Sequence, residues 1–397
     1  MKSKSKQDAV ILTALRTPCG KANRGSLRFT RPDSLGGEVI RDLLNRTPGL
    51  KPEMVEDVIM GCAFPEGAQG MNIARQCALL GGLPVSVPAM TINRFCSSGL
   101  QAIAMAVDRI ESGAAEVIIA GGVESMSLVP MGGISFQPNP ELAERMPEVY
   151  INMGLTAEKV AETYGVNRED QDRFALRSHQ RAVDAWKNGY FEDQITPVTV
   201  SLRSVTPGGG VEEEEVRFAR DEGPRADTTL EALGNLAPVF RKGGSVTAGN
   251  SSQMNDAASA VVVMSRKRAD ELGLKPMARL LGFSVAGVPP ELMGIGPVEA
   301  VPSVLRHTGL GLSDIDLIEL NEAFAAQAIA VIRELGMDEE RVNRNGGAIA
   351  MGHPLGCTGA KLTTQILHDL RRRGESLGLV TMCVGGGMGA AGIFEML

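Results

Sequence analysis

The sequence predicts an α/β protein with two similar halves and a further unit inserted into the first half. The first observation is an internal repeat: residues 43–67 and 303–327 both contain a helix end, a Gly-Leu turn, an acidic segment and an apolar strand. The repeat continues in residues 97–122 and 357–386, where a turn with Gly precedes an amphipathic helix, an apolar strand and a Gly pair. A stretch of different composition separates the copies. Two copies of one α/β unit imply a duplicated core.

The first half is predicted to span residues 1–123 and 250–274. Its polar opening, MKSKSKQD, is expected to be frayed. The apolar stretch PAMTI is typical of a strand, and a helix follows the next turn. Apolar residues at helical spacing indicate this helix: Leu100, Ile103, Ala104, Val107 and Ile110. The segment GSVTAGNSSQMNDAASAVVVMS is expected to close this half as a small-residue turn, a helix and a strand.

Residues 124–249 are predicted to form the inserted loop domain, and residues 275–397 the second half. The insertion combines a segment rich in Met, Pro and Gly, a polar helical run, and an acidic loop around Glu212 to Glu215 that is interpreted as solvated. Insertions into a rigid α/β scaffold commonly shape the substrate pocket, so we expect that role here.

Composition excludes several classes of protein. The net charge of −7 and the lack of Lys/Arg runs argue against a nucleic-acid binder. No apolar run is long enough to cross a membrane. The six Cys residues form no CxxC pair, which favours a reducing compartment over a disulfide framework. No metal site is predicted, because Pro354 and Gly356 separate His353 from Cys357 and no second ligand pair follows.

Three Gly-rich turns carry the candidate chemistry. Cys96 lies in NRFCSSGLQA, His353 in GGAIAMGHPLGCTGA, and Cys383 in MCVGGGMGAAG. A nucleophilic Cys needs an imidazole or a helix N-terminus to form its thiolate, and Cys96 is predicted at a strand-to-helix turn. In the repeat, the turns of Cys96 and His353 are equivalent, which predicts a site between the halves. Each residue also has a structural interpretation, as a buried small side chain or a tightly packed turn.

Five segments together resemble the thiolase family, and the resemblance covers essentially the whole chain. They are NRFCSSGLQA, VTAGNSSQMND, NEAFAAQA, GGAIAMGHPLGCTGA and CVGGGMGAAG, in the order and spacing typical of that family. The resemblance implies a five-layered αβαβα fold with two duplicated halves and an inserted loop domain.

The resemblance also implies roles for five residues in thiolysis of a 3-oxoacyl-CoA. Cys96 would carry the acyl group, His353 would take its proton, and Cys383 would protonate the leaving acetyl-CoA carbanion and later deprotonate CoA. Asn321 would hold a water that, with His353, stabilises the enolate-like oxygen. The backbone N–H groups of Cys96 and Gly385 would form a second oxyanion hole.

Further positions match those that bind CoA in the family. The resemblance assigns the pantetheine arm to Ser252 and Ala248 of TAGNSS. Apolar residues would line the tunnel for this arm: Met153, Phe240, Met293 and Phe324. Arg225 would place a cation near the nucleotide end of CoA.

At two positions the sequence differs from the pattern of one thiolase subfamily, and these differences indicate the substrate class. Biosynthetic acetoacetyl-CoA thiolases commonly have a His before the loop-domain Met and a CGSG turn, whereas this chain has Asn152 before Met153 and CSSG at the nucleophile. These departures favour the degradative type. A biosynthetic acetoacetyl-CoA thiolase and a non-catalytic acyl-CoA or lipid-binding relative remain alternatives. The related 3-oxoacyl synthases lack a second active-site Cys, so Cys383 argues against them.

The expected ligands are CoA and acyl-CoA thioesters, with CoA as a substrate and no permanently bound cofactor. The resemblance implies a homodimer or homotetramer, and association with a β-oxidation hydratase/dehydrogenase stays open. No nucleic-acid or membrane partner is expected. The absence of recognisable targeting signals predicts a cytoplasmic protein.

Overall fold

A large mixed sheet organises the chain. The computed structural model describes residues 8–205 and 208–397, so most of the opening predicted to be frayed lies outside the described residues. The strands are β1 (Ala9–Arg16), β2 (Gly20–Lys21), β3 (Asp57–Gly61), β4 (Ala89–Ile92), β5 (Val117–Ser125), β6 (Val198–Val205), β7 (Val211–Phe218), β8 (Asn255–Ser265), β9 (Ala278–Gly287), β10 (Leu317–Leu320), β11 (Leu377–Val384) and β12 (Met388–Met396).

Helices precede, connect and cover these strands. They are α1 (Pro32–Asn45), α2 (Ile73–Leu80), α3 (Ser98–Glu111), α4 (Pro140–Arg145), α5 (Met153–Thr163), α6 (Arg168–Lys187), α7 (Leu230–Gly234), α8 (Arg266–Glu271), α9 (Gly296–Thr308), α10 (Ala325–Leu335), α11 (Ala348–Met351) and α12 (Leu355–Arg373). Short 3₁₀ turns lie between them, including Phe95–Ser97 before α3.

The sheet has two parts with the same topology. Neighbouring strands run in the order β4-β3-β5-β8-β1 in the first part and β10-β11-β12-β9 in the second. Within each part a parallel pair, β3 with β5 or β10 with β11, is followed by antiparallel strands. A single residue pair, Ile11 with Ala278, joins β1 to β9. The architecture is therefore duplicated, which confirms the predicted fold class.

Helices form the remaining layers. α3 and α12 lie between the two parts of the sheet, where Leu100, Ile103 and Ile366 share one core with strands of both halves. On the outer faces, α1 and α2 cover the first part, and α9 and α10 cover the second. The order is thus helix, sheet, helix, sheet, helix.

Two glycines let the central helices approach closely. A Cβ on Gly359 would lie 2.3 Å from the backbone nitrogen of Leu100, and a Cβ on Gly99 would lie 2.6 Å from that of Ala360. Real Cβ atoms do not approach backbone this closely, so only Gly fits at these positions. Gly99 and Gly359 occupy equivalent positions of the repeat, and each lies within the first five residues of its helix.

The expected helix in the segment that closes the first half is wrong. Residues Asn255–Ser265 form one strand, buried along its length between β1 and β5. Its small residues suit this place because Ser259 contacts both the neighbouring strand and α12, with its hydroxyl 3.1 Å from that of Thr364. Ala257 and Ser259 pack towards α12, whereas Ala258 and Ala260 pack in the outer core with α1, so the Ala-rich composition reflects packing on both faces and not helix propensity.

The chain leaves the first half after β5 and returns at β8. The helices α4–α7 and the hairpin β6–β7 lie between. The acidic run from Glu212 to Glu215 is exposed as predicted, but it lies in β7 and not in a loop. The residue limits of the three predicted domains stay a prediction.

A buried ion pair connects the insertion to the first half. The Arg16 guanidinium donates two hydrogen bonds to the Asp221 carboxylate, at 2.8 and 2.9 Å. Burial is the largest single influence and acts to raise the pKa of Asp221, but the charge and hydrogen bonds of Arg16, with Lys361 and the Cys19 N–H, together hold that pKa below its usual range. The same carboxylate accepts the N–H of Cys19 at 2.7 Å. These contacts fix the turn after β1 against the insertion.

Candidate active site

A cavity of about 560 Å³ brings together residues from both halves and the insertion. Cys96, His353 and Cys383 all line it. So do six residues assigned to CoA by resemblance: Met153, Phe240, Ala248, Ser252, Met293 and Phe324. The three predicted turns therefore meet in one place, although 287 residues separate the first from the last.

Cys96 lies in a tightly held turn between β4 and α3. The preceding residue, Phe95, has φ of +41°, a conformation that side chains rarely adopt. The Asn93 side chain accepts the N–H of Phe95 at 2.8 Å, and the Ser98 hydroxyl donates to the carbonyl of Phe95 at 2.7 Å. Local hydrogen bonds therefore maintain the strained turn and present the half-buried Cys96 to the cavity.

Burial keeps the Cys96 thiol protonated. Burial raises its pKa to about 12, while the N–H groups of Gly385 and of Cys96 itself act in the opposite direction. Both N–H groups thus lie close to Sγ, where an oxyanion would develop. Gly385 follows β11, and a Cβ on nearby Gly387 would lie 2.3 Å from the carbonyl oxygen of Val288. This tight turn directs the Gly385 amide to the nucleophile.

His353 is held as a neutral base in the loop before α12. Its backbone N–H reaches the Asn255 side-chain oxygen at 3.1 Å, and its Nδ1 lies 2.6 Å from the Thr358 hydroxyl. That hydroxyl donates its own hydrogen to the carbonyl of Pro354 at 3.0 Å, so it accepts from Nδ1–H. The hydrogen-bond network therefore assigns the free lone pair to Nε2.

The charge state of His353 follows from its surroundings. Burial, and then the cation of Lys361, lower its pKa to about 3. Lys361 is itself buried and donates to the carbonyl of Gly352 at 3.2 Å. A neutral imidazole with a free Nε2 can accept a proton, which suits a general base.

Asn321 lies beside this base. Its Nδ2 is 3.4 Å from His353 Nε2, and its Oδ1 is buried with no partner among the described residues. The backbone N–H of Asn321 reaches the carbonyl of Thr381 in β11 at 3.0 Å, which fixes the residue after β10. Asn321 and His353 thus form one polar group, in which His353 lines the cavity and Asn321 is buried beside it and is not part of the lining.

Cys383 lies near the end of β11, opposite Gly389 of β12. Burial raises the pKa of its thiol, and the nearby Cys96 raises it further. A thiolate on Cys96 would therefore disfavour ionisation of Cys383. Apolar side chains surround Cys383, including Met293 and Phe324. Cys383 is thus a neutral thiol that can donate a proton.

The residues assigned to CoA divide into two groups. The aromatic rings of Phe240 and Phe324 meet edge to face at 6.1 Å and form an apolar wall with Met153. By contrast, Arg225 is exposed and is not part of the lining; its backbone N–H donates to His179 Nδ1 at 3.3 Å.

Sequence reasoning missed two cations and one carboxylate. Lys21 and Arg24 line the cavity, but their segment is far from the motifs in the chain and carries no chemical signal of its own. Glu124, at the end of β5, accepts N–H groups from Ala63 at 2.8 Å and Gly356 at 2.7 Å. Its buried carboxylate thereby ties two strand ends to the first turn of α12, next to the loop of His353.

The described residues form neither a candidate metal site nor a candidate membrane-spanning helix. Within residues 8–205 and 208–397, no group of three or more His, Cys, Asp or Glu side chains is placed to hold a metal ion. No helix in the part of the chain that the structure describes is long and apolar enough to span a membrane.

Comparison with known proteins gives consistent matches over the full length. Residues 9–267 match the family described as thiolase, N-terminal domain, and residues 274–396 match thiolase, C-terminal domain. The 3-ketoacyl-CoA thiolase of Bacillus subtilis is 56% identical over 390 residues, which cover 98% of this chain and 100% of that protein. The acetyl-CoA acetyltransferase of Pseudomonas aeruginosa is 48% identical over 97% of this chain and 98% of its own length.

A solved structure has the same fold. The crystal structure of the Bacillus anthracis acetyl-CoA acetyltransferase superimposes with a TM-score of 0.90 at 44% sequence identity, covering 100% of both chains. Together with the matched domains and the similar relatives, this structure shows that the chain belongs to the thiolase family.

Proposed function

We propose that the protein cleaves 3-oxoacyl-CoA with CoA, yielding acetyl-CoA and an acyl-CoA shortened by two carbons. The observation that carries this proposal is the meeting of two thiols and a neutral imidazole in one cavity with apolar walls. A single Cys and a His suffice for acyl transfer alone. Cleavage of a carbon–carbon bond also needs a proton donor for the leaving carbanion, and Cys383 meets that need.

In the first half-reaction, Cys96 Sγ attacks the keto carbonyl while His353 Nε2 takes its proton. The bond between carbons 2 and 3 then breaks, and its electron pair forms the enolate of acetyl-CoA. Cys383 protonates this carbanion and becomes a thiolate, so acetyl-CoA leaves and an acyl-thioester remains on Cys96. Burial disfavours each isolated charge, but a thiolate beside an imidazolium offsets part of this cost.

In the second half-reaction, CoA enters and its thiol gives a proton to the Cys383 thiolate. The CoA sulfur attacks the acyl carbon, and the shortened acyl-CoA departs. The released Cys96 thiolate recovers its proton from His353. Every proton is thus returned, and the reverse sequence is a Claisen condensation.

Two groups of donors stabilise the oxyanions. The N–H groups of Cys96 and Gly385 face the position of the tetrahedral alkoxide, since both already contact the Cys96 sulfur. Asn321 lies beside His353, and the thioester enolate oxygen of acetyl-CoA would bind against this pair. The apolar residues Met153, Phe240 and Phe324 accept the pantetheine arm, with Ser252 and Ala248 beside them.

We favour 3-oxoacyl substrates longer than acetoacetyl-CoA. Methionine side chains line much of the cavity, and their flexible thioethers adapt to acyl chains of different length. The relative from Bacillus subtilis is named a 3-ketoacyl-CoA thiolase, as is a peroxisomal protein from Mus musculus that is 45% identical over 98% of this chain. A second candidate is acetoacetyl-CoA synthesis, because other relatives are named acetyl-CoA acetyltransferase.

The proposal is tested by mass spectrometry with a 3-oxoacyl-CoA in the absence of free CoA. Wild type is expected to gain the mass of one acyl group, and Cys96→Ala is expected to gain none. Cys383→Ala should still be acylated by a simple acyl thioester while losing most thiolysis. Absence of the adduct in wild type would refute the proposal, and turnover of acetoacetyl-CoA alone across a chain-length series would favour the second candidate.

We further propose that CoA acts as a substrate and not as a resident cofactor, and that the chain assembles as a dimer or tetramer. The edge strand β4 supports assembly, because among the described residues it pairs only with β3, which leaves its other edge available to a second copy of the chain. Association with a hydratase/dehydrogenase and a cytoplasmic location stay predictions.

A further inference from the structure

A second cavity, of about 1040 Å³, lies where the two parts of the sheet separate. β1 pairs with β9 only at Ile11, and the next four residues, 12–15, line the cavity on that side. The described residues that line it include none that lines the active-site cavity. The last turn of α12 forms part of its wall and lies roughly 20 Å from the first turn of that helix, beside His353. The second cavity is therefore separate from the site of the proposed reaction.

Cations from three different elements converge on this second cavity. They are Arg46 at the end of α1, Lys275 in the loop between α8 and β9, and Arg371 and Arg372 in the last turn of α12. Among the described lining residues, Asp193 is the one acidic side chain. Compensation of the α12 dipole explains basic residues in its last turn, but not the cations from the other two elements. The lining thus has a net positive charge on a chain whose net charge is −7.

Two of these cations are fixed by neighbours, and two are available to a ligand. Arg46 and Arg372 each pair with a carboxylate one turn earlier in the chain, and Arg372 also stacks on the ring of Tyr190, 3.6 Å from its centre. By contrast, Lys275 and Arg371 are exposed, and neither forms an ion pair with any residue that the structure describes. The fixed pair therefore shapes the wall, and the other two can bind an anion.

The rest of the lining suits an uncharged ring. Leu12, Leu274 and Met277 supply apolar surface. His368 supplies one acceptor: its Nε2 donates to the carbonyl of Ala14 at 2.9 Å, so the lone pair of the imidazole is on Nδ1. A ligand that matches this lining has a flat body with a donor group and carries at least two negative charges.

We propose that the second cavity binds a nucleoside diphosphate, with its phosphate groups on Lys275 and Arg371. Ammonium and guanidinium groups form charge-assisted hydrogen bonds with phosphate oxygens. The base then lies against the apolar lining, where its amino group can donate to His368. The cavity is large enough, since ordinary ligand pockets have volumes of about 300–1,000 Å³. The inference is independent of the proposed function, because the two cavities have separate linings.

Fluorescence titration of the full-length protein with ADP tests the proposal. The chain has a single Trp, Trp186, which packs in the same cluster as Tyr190 of the cavity wall, so its emission should change when ADP binds. In the double variant Lys275→Met/Arg371→Met, we expect the Kd for ADP to rise about tenfold at low ionic strength, with less difference at high salt. Adenosine, which lacks the phosphates, should bind wild type and the double variant equally weakly.

Two further variants serve as controls. Lys267→Met removes an exposed cation of α8 outside the lining and should leave the Kd for ADP unchanged. Lys275→Arg/Arg371→Lys keeps both charges and should retain ADP binding. Thiolysis by the double variant should equal that of wild type, since neither residue lines the active-site cavity.

An unchanged Kd for ADP in the double variant would overturn the inference, because ADP held in the active-site cavity would not respond to these substitutions. Equal weakening in Lys267→Met would also overturn it, since a general effect of charge would then suffice. So would the absence of ADP binding to wild type. Titration needs no turnover, and a wild type that binds ADP in this way but performs no thiolysis would refute the proposed function alone.

Discussion

The chemistry of His353 depends on one hydroxyl group. Thr358 donates its hydrogen to a carbonyl of its own helix turn, and only its oxygen lone pairs remain for the imidazole. This fixes the proton on Nδ1 and leaves Nε2 as the base. A side chain of the same shape without the hydroxyl would lose this control over the tautomer.

We therefore expect Thr358→Val to lower kcat of thiolysis at least tenfold with little change in KM, because the wrong tautomer offers no lone pair to Cys96. Thr358→Ser should restore activity. The control is Thr363→Val on the same helix, since the Thr363 hydroxyl donates to the Gly359 carbonyl at 2.8 Å and does not bond to His353. Steady-state kinetics checks this, and equal losses in Thr358→Val and Thr363→Val would contradict it.

Among the elements, the crossing of α3 and α12 sets the geometry of the site. The turn of Cys96 leads into α3, and the loop of His353 leads into α12, so the close contact at Gly99 and Gly359 brings both turns together. Glu124 reinforces the contact by accepting the N–H of Gly356 in the first turn of α12.

Gly359→Ala is expected to lower the melting temperature by several degrees and to reduce kcat, since the new methyl group would overlap the backbone of Leu100. Overpacking of this kind costs about 1–3 kcal/mol. In the control Gly234→Ala, the Cβ meets nothing within 4 Å, so no loss is expected. Differential scanning calorimetry at one scan rate measures both. A Gly359→Ala protein as stable and active as wild type would show that the helices can separate freely.

Some elements of the site can be predicted from the sequence and others cannot, for physical reasons. The turns of Cys96, His353 and Cys383 are predictable because their Gly-rich motifs are local, and the repeat relates two of them. β8 is a strand and not the expected helix, because its small residues pack against α12 on one face and in the outer core with α1 on the other, which no local pattern reveals. Lys21 and Arg24 were missed because the active-site cavity is made by segments about 200 residues apart in the chain.

For the whole molecule, buried histidines link stability to pH. Burial lowers the pKa of His353 to about 3, and lowers those of His179 and His368 to about 4. In the unfolded chain these groups titrate near 6.5. Between about pH 6.5 and 4 the unfolded state binds more protons, so the free energy of unfolding falls as the pH is lowered through this window. Burial raises the pKa of Glu124 and Glu322, which opposes the trend.

The variant His368→Gln measures how much His368 contributes to the pH dependence of stability. His368 Nε2 lies 2.9 Å from the carbonyl of Ala14, and a Gln amide can donate the same hydrogen bond without titrating. The variant should therefore lose less thermal stability than wild type between pH 6.5 and 4.5. Melting curves across this range decide the point, and parallel pH profiles for the two proteins would exclude His368 as a contributor.

Because of the glycine contact between α3 and α12, the spacing of the catalytic groups and the choice of substrate depend on different parts of the protein. Because nucleophile and base are spaced by a backbone-to-backbone contact in the interior, their distance does not depend on any surface loop. The walls of the active-site cavity come largely from the insertion and the turn after β2. Substitutions there can change which acyl chain or carrier binds while the nucleophile and the base keep their spacing. The substrate specificity of this fold can therefore change without a change in the catalytic residues.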